Sequence, residues 1–448
     1  MSTWKTIVGG FMVVSALALM GCIGDPAEFV DGSRAYPCES DAEAYSGGEG
    51  TARAPYVICS EEDLRRLAAT REHWALDFGL GANITLTDLW EPIGDEETPF
   101  SGDFDGDGLR ISNLRVDTTE AAGLFGNVTG RIDALGLWDP EISGGTRVGA
   151  LAGTLGSGGR VTNVIVENAA VKAENVAGAL VGWNEGVIRD SHVRSSNVDV
   201  NGGPTPSVWG DSEVNRVAIA GGLVGLSLSW TNTALIVDSS AEITMQGRSV
   251  GIGGLVGMNR AEIRGSSSFG VINSSGSVGE AFLYGGLVGL NVREGKISES
   301  FSRADLLTSA VAVGGLVGGN EGTIINSYAD GTVEGSDIHG GLVGGHGEDG
   351  VIEDSFAYGE VRDADGAANL SGGLLGGPLN PEEGAVTGQV NGSFFNSTRN
   401  PGDTHIGIPL SEEEFRNPSQ FGDWDLDTIW YHNGATQTYP RLRWEGQR

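Results

Sequence analysis

Three aspartates at alternate positions are the clearest candidates for metal binding in this sequence. Asp103, Asp105 and Asp107 lie in the segment DFDGDG. Their carboxylates resemble the first half of a calcium-binding loop, but the later glutamate and the flanking helices of an EF-hand are missing. We therefore keep calcium as the one candidate cofactor. The alternative is an acidic strand and turn that holds no ion.

A second candidate group combines two histidines with a carboxylate. His339, His346 and Asp349 fall within the segment SDIHGGLVGGHGEDG. Imidazole and carboxylate groups are common metal ligands. However, His346 occupies a position that asparagine holds in other copies of a repeat described below, so we favour a structural role for it in a turn.

Three tryptophans are the candidates for ligand binding. Trp183, Trp209 and Trp230 lie in consecutive repeats, and Trp209 falls within an insertion at 201–216. Inserted loops often carry binding residues, and exposed rings can stack on sugars or anchor a protein partner. The alternative is that these rings cover the wall of the fold.

The sequence lacks the compact motifs of several enzyme classes. It has no P-loop and, among its six histidines, no His-Glu-x-x-His. Beyond the N-terminus the only lysines are Lys172 and Lys296, so a lyase would depend on scattered arginines for its base. We expect a protein that is not an enzyme. A polysaccharide lyase or a glycosidase with two carboxylates is the alternative.

The N-terminus resembles that of an exported lipoprotein. Residues 1–21 combine Lys5 with an apolar stretch at 7–20, which is typical of a signal peptide. The motif LMGC that ends at Cys22 resembles the bacterial lipobox, which implies cleavage before Cys22 and a lipid on its thiol. Ordinary secretory cleavage and an uncleaved anchor are the alternatives.

Two further cysteines, Cys38 and Cys59, remain once Cys22 is assigned to the lipid. Such a pair is usually oxidised in exported proteins, so we predict a disulfide between Cys38 and Cys59 at the start of the fold.

The charge of the chain restricts its partners. The formal net charge is −33, and a surface of this sign repels nucleic acid and anionic lipid headgroups. We therefore expect no nucleic-acid partner, and membrane contact only through the lipid anchor.

The elements that would position all these residues are repeats. Glycine makes up 74 of the 448 residues, and blocks such as Gly-Gly-Leu-Val-Gly recur at intervals of 26 to 43 residues. Nine leucines align in these blocks, namely Leu124, Leu151, Leu180, Leu223, Leu255, Leu287, Leu316, Leu342 and Leu374.

Within each repeat, short apolar strands alternate with glycine turns and show no helical periodicity. This pattern predicts a right-handed parallel β-helix whose coils stack about 4.8 Å apart, so that equivalent residues form rows. The expected asparagine row is Asn184, Asn259, Asn291 and Asn320. The expected serine row is Ser191, Ser266, Ser300, Ser327 and Ser355, and the rings that follow four of these serines are His192, Phe301, Tyr328 and Phe356.

Both ends of the chain depart from the repeat. Ser60 and the acidic residues after it predict a short helix to about Arg71, and Ser411 opens another, followed by an aromatic stretch that could plug the last coil. We predict a signal peptide (1–21), a tether (22–35), an N-terminal cap with the first strands (36–95), a solenoid (96–398) and a C-terminal cap (399–448).

The tandem pattern resembles that of proteins carrying the GLUG motif, named for Gly-Leu-x-Gly. The resemblance covers residues 54 to 444 and includes APYVICSEEDLRRLA, WEPIG, FSGDFDGDGLRISNL and TYPRL. Such proteins are similar to bacterial surface adhesins and to repeat regions of larger exported proteins, including some immunoglobulin A peptidases. The resemblance implies a β-solenoid at the cell surface and implies no substrate.

Together these features predict a non-catalytic binding or adhesion protein. It would be held by lipid at the outer membrane or cell surface, and would present a rigid repeated face to a glycan or to a protein of a host or neighbouring cell. A purely structural envelope protein is a further alternative.

Overall fold

The computed structural model describes residues 35–39, 45–200, 218–228, 233–247, 249–274, 282–363, 370–380, 384–400 and 406–446. Within these ranges most regular structure is β-strand, and strands from successive turns of the chain pair in parallel. The protein is a parallel β-solenoid, as the repeat predicts. The hand of the coil stays a prediction.

The Gly-Leu-x-Gly blocks build one side of the column. Each strand on this side begins directly after an aligned leucine, and all nine leucines are fully buried. The backbone N–H of Leu287 donates to the carbonyl of Leu316 at 2.8 Å, and the same bond recurs between neighbouring coils. The predicted leucine row is therefore confirmed. The nine described strands are Phe125–Val128, Ala152–Leu155, Val181–Asn184, Val224–Ser227, Val256–Asn259, Val288–Asn291, Val317–Asn320, Val343–His346 and Leu375–Pro378.

A sheet of short strands precedes this side in each coil, and glycine forms the corner between the two. A Cβ atom at Gly253 would lie 1.9 Å from the carbonyl oxygen of Val256. Only a residue without a side chain allows this approach. The eight described strands are Arg147–Val148, Val176–Gly178, Ile219–Gly221, Gly251–Gly253, Leu283–Gly285, Ala312–Gly314, Ile338–Gly340 and Leu370–Gly372.

The next side of each coil is a sheet to which every coil contributes one short strand. Its central residues, such as Ile263, Ile297 and Ile324, are fully buried and face the core. The twelve strands within the described ranges are Tyr56–Ile58, Phe78–Leu80, Asp103–Asp105, Arg131–Asp133, Arg160–Thr162, Val187–Arg189, Leu235–Val237, Glu262–Arg264, Lys296–Ser298, Thr323–Ile325, Val351–Glu353 and Gln389–Asn391.

The remaining side holds one long strand or two short strands per coil. We call it the wide sheet. Its seventeen described strands are Ile84–Thr85, Arg110–Ser112, Arg115–Asp117, Gly136–Trp138, Glu141–Gly144, Ile165–Glu167, Ala170–Ala173, His192–Val200, Ser240–Gly247, Ser267–Ser274, Phe301–Thr308, Tyr328–Ala329, Val333–Gly335, Phe356–Ala357, Val361–Asp363, Phe394–Asn396 and Ile408–Leu410.

Buried serines connect the coils where the chain enters the wide sheet. The Ser327 hydroxyl donates to the carbonyl of Ile325 at 2.9 Å and accepts from the backbone N–H of Ser300 at 3.2 Å. Asn326, directly before Ser327, has a left-handed φ of 50° that turns the corner. The predicted serine row is confirmed. The serines in it are Ser191, Ser239, Ser266, Ser300, Ser327, Ser355 and Ser393.

The asparagine row is also present. Nδ2 of Asn259 donates to Oδ1 of Asn291 at 2.9 Å, and Nδ2 of Asn291 donates to Oδ1 of Asn320 at 2.8 Å. His346 lies next in the row, with its Nδ1 3.3 Å from Nδ2 of Asn320. The structural role that we favoured for His346 is therefore confirmed.

The N-terminal end carries the predicted cap features. A helix spans Glu61–Ala69, and the Ser60 side chain accepts from the backbone N–H of Asp63 at 3.1 Å. A short 3₁₀ helix, Arg71–His73, follows it. Cys38 and Cys59 form the predicted disulfide, with their Cα atoms 6.0 Å apart.

The C-terminal segment, 406–446, follows the last coil. It contains a helix at Glu412–Phe415 with a capping box at Ser411, 3₁₀ helices at Pro418–Phe421 and Arg443–Gly446, and an antiparallel pair of strands, Trp430–Tyr431 and Arg441–Leu442. Among the described residues no helix is long and apolar enough to cross a membrane.

This segment lies along the flank of the column, whereas we had expected it to plug the last coil. Three of the four rings that follow the serines, Phe301, Tyr328 and Phe356, face outward and stack, with Tyr328 and Phe356 parallel and 4.9 Å apart. Trp424 and Trp430 pack against them in an apolar cluster separate from the main core. Trp444 reaches a coil further, where its Nε1 donates to the carbonyl of Glu299 at 2.8 Å. Outward rings would leave a long apolar surface in water, and the hydrophobic effect favours a segment that covers it.

Candidate functional site

The three aspartates of the calcium hypothesis lie at the N-terminal end of the twelve-stranded side. Asp103 and Asp105 line a shallow depression of about 200 Å³, together with Tyr36 and Arg131. Asp107 follows in the turn, with a left-handed φ of 48°. The depression is therefore mixed in charge and open to solvent.

Two of these three carboxylates, those of Asp105 and Asp107, already accept hydrogen bonds. The Tyr36 hydroxyl donates to Oδ2 of Asp105 at 2.7 Å, and the backbone N–H of Asp107 donates to Oδ1 of the same carboxylate at 2.9 Å. Burial, together with the nearby Asp77, raises the pKa of Asp103. No group of three His, Cys, Asp or Glu side chains in the described ranges is placed to hold a metal ion. Calcium binding thus stays a prediction that this arrangement does not favour.

The two histidines occupy different sides of the column. His339 faces the core from the eight-stranded sheet, and His346 ends the asparagine row; both are fully buried. Burial lowers the pKa of both rings, that of His346 to about 4. Asp349 instead pairs with Arg293. The structure therefore does not bring these three side chains together as a metal site.

Trp183 lies half-buried on the outer face of the nine-stranded side. The guanidinium carbon of Arg147 is 4.6 Å from the centre of its ring, and Arg147 also pairs with Glu96 at 3.0 Å. The ring packs against a small apolar cluster made of Val176, Ile219, Leu226, Leu228 and Val250. These contacts favour the alternative in which Trp183 covers the wall. Binding by Trp183 stays a prediction.

Three of the predicted site residues lie outside the described residues. They are the lipidation candidate Cys22 and the two tryptophans Trp209 and Trp230.

Sequence reasoning missed one ring at the surface, that of Trp138. It lies partly buried on the outer face of the wide sheet. A Cβ atom at Gly136 would lie 2.0 Å from the Cζ3 position of the indole, so the ring is laid directly over that glycine. The guanidinium carbon of Arg110 is 5.7 Å from the ring centre. The only sequence signal was the alternation in Gly-Leu-Trp, which puts Gly136 and Trp138 on the same face around the buried Leu137.

The stacked coils and their internal rows define a β-solenoid repeat protein. The family model described as the GLUG motif matches residues 309–334, which include the strands Ala312–Gly314, Val317–Asn320 and Thr323–Ile325. The chain is therefore a β-solenoid protein that carries the GLUG motif.

Two curated relatives are similar in sequence. The chain is 34% identical over 431 residues to a protein of Evansella cellulosilytica named as a Gly-rich membrane protein, covering 88% of this chain and 45% of the relative. It is 34% identical over 155 residues to halomucin of Haloquadratum walsbyi, covering 31% of this chain and 2% of the relative. The chain thus spans less than half the length of these relatives.

Among solved structures, a Bacteroides ovatus protein described as an immunoglobulin A1 protease is similar with a TM-score of 0.42 and 19% identity. That similarity covers 90% of this chain and 96% of the other.

Proposed function

We propose that this chain is a non-catalytic binding protein of the cell surface, which uses the outer face of a rigid solenoid for adhesion. The observation that carries the proposal is the wide sheet. Its C-terminal rows are covered by the segment 406–446. The rows around Trp138 instead hold a partly buried ring beside the polar residues Ser112 and Glu167. A rigid array of this kind loses little conformational freedom when it binds.

The absence of catalysis is part of the proposal. The serine hydroxyls of the row donate to backbone carbonyls, and the His346 ring is buried beside Asn320. Because these groups are buried or hydrogen-bonded within the fold, they are poorly suited to proton transfer with a substrate.

The proposed location is the outer membrane or cell surface, reached through a lipid on Cys22. The LMGC motif supports it, and one relative is named as a membrane protein. Labelling of cells with a fatty acid that carries a click handle should mark the wild-type chain and leave Cys22→Ser unmarked. Equal labelling of both would contradict the anchor.

Binding itself is tested with the full chain. We expect retention on a glycan array or on intact cells, without loss of polymer length in any polysaccharide. Release of new reducing ends would contradict the non-catalytic proposal, and a chain that binds neither glycans nor cells would contradict adhesion.

A further inference from the structure

We infer that Trp138 is the centre of a carbohydrate-binding site that takes a neutral sugar ring. This inference rests on the proposed function and deepens it by naming the class of partner and the residues that hold it.

The geometry of the ring is the first argument. Trp138 and Gly136 point to the same outer face, and the indole covers the glycine so closely that even a methyl group at 136 would collide with it. The ring is therefore laid against the backbone, where Gly136 is itself buried while Trp138 keeps part of its surface exposed. An aromatic face held in this way is the usual partner of the C–H face of a pyranose.

The neighbouring coils supply polar groups at the edges of the ring. By strand register, Ser112 lies beside Trp138 on one side and Glu167 on the other. Arg110, which is exposed, has its guanidinium carbon 5.7 Å from the ring centre. The site thus has a hydrogen-bond donor in the arginine, an acceptor in the carboxylate and a hydroxyl that does both.

This mixture of groups favours a neutral glycan. Sugar hydroxyls both donate and accept, so they match a site with Arg110 on one side and Glu167 on the other. A polyanionic glycan would meet the field of a chain with a net charge of −33, which disfavours its approach. Protein side chains with a large apolar surface would find only one ring here, which is less than the cluster of anchors typical of protein interfaces.

Trp183 provides a matched comparison on the same molecule. It is also half-buried on an outer face, but the Arg147 guanidinium lies 4.6 Å from its ring centre and an apolar cluster packs beside it. The inference places the neutral sugar at Trp138, and Trp183→Ala tests the separate prediction that Trp183 binds a ligand.

The experiment measures binding of the full chain to neutral polysaccharides (a β-glucan, a mannan and a xylan) by affinity gel electrophoresis, with a glycan array as a second probe. We expect Trp138→Ala to weaken binding by about tenfold or more. Gly136→Val should weaken it as well, because it displaces the ring without deleting it. Leu307→Ala, which shortens an exposed apolar side chain of the same wide sheet several coils away, should bind as the wild type does.

The outcomes separate the two proposals. If the wild type binds a neutral polysaccharide and Trp138→Ala binds it equally, the assignment of the site is wrong while the proposed function stands. If the wild type binds cells or acidic glycans but no neutral one, the ligand class is wrong. If it binds nothing, both proposals fail. Circular dichroism and thermal melts of each variant establish that any loss of binding is not a loss of fold.

Discussion

His346 shows how a single residue couples this fold to pH. It continues a row of asparagines with a ring that is fully buried, and burial lowers its pKa from 6.5 to about 4. Between those values the unfolded chain takes up a proton that the folded chain does not. The free energy of unfolding therefore falls as the pH drops from about 6.5 towards 4, by up to roughly 3 kcal/mol.

Replacing His346 by asparagine should remove this part of the acid sensitivity. The side chain introduced by His346→Asn would offer an amide to Asn320, as the other members of the row do for their neighbours. Urea unfolding followed at pH 8, 6 and 5 measures the effect. At pH 8 both side chains are neutral, so the difference in the free energy of unfolding at that pH reports only how well each side chain packs. The free energies of unfolding of the variant and the wild type should differ more at pH 5 than at pH 8. An equal difference at both pH values would contradict the link between His346 protonation and stability.

At the same scale, the sequence located some residues correctly and overlooked others. Cys38, Cys59 and His346 could be placed because pairing and repeat alignment act on residue type alone. Trp138 could not, because its exposure depends on Gly136 beneath it and on the side chains of adjacent coils. Those neighbours are close only after the chain has coiled.

The serine row is the element that ties successive coils together. Ser327 makes two hydrogen bonds, one to the carbonyl of Ile325 and one from the backbone N–H of Ser300, and its hydroxyl lies in a buried corner. Removing the hydroxyl leaves a buried N–H without its partner. We expect Ser327→Ala to destabilise the protein by about 1–3 kcal/mol.

Ser336 gives the matched control for this prediction. Its hydroxyl is buried and has no hydrogen-bond partner in the described part of the chain. Ser336→Ala should therefore be neutral or slightly stabilising, because it removes an unsatisfied polar group. Urea midpoints of the two variants, compared with the wild type, measure the difference. Equal midpoints for both variants would mean that the row contributes nothing measurable.

The elements themselves were largely predictable, since repetition marks the strands directly. All nine aligned leucines precede a strand of the same side, and Ser60 and Ser411 both cap helices. The position of the C-terminal segment was not predictable. Its cover of the outward rings depends on contacts between residues more than a hundred positions apart, such as Trp430 and Asn326, and no period in the sequence signals them.

At the scale of the whole molecule, the coiled architecture concentrates charge of one sign. The net charge is −33, and parallel stacking sets equivalent residues of adjacent coils side by side, as with Asp105 and Asp133. Self-repulsion of this kind opposes the compact state. It acts over a Debye length that shrinks from about 30 Å at 0.01 M salt to about 3 Å at 1 M.

The melting temperature should therefore rise steeply with sodium chloride at low concentration. Screening predicts that most of the gain falls below about 0.2 M, because the Debye length is then already under about 10 Å. Salting-out of apolar surface would instead produce a slow rise that continues towards about 1 M. Thermal melts at closely spaced concentrations distinguish the two curves. A melting temperature that stays flat below about 0.2 M would show that the acidic side chains are far enough apart, or well enough paired, for the column to tolerate its charge without added ions.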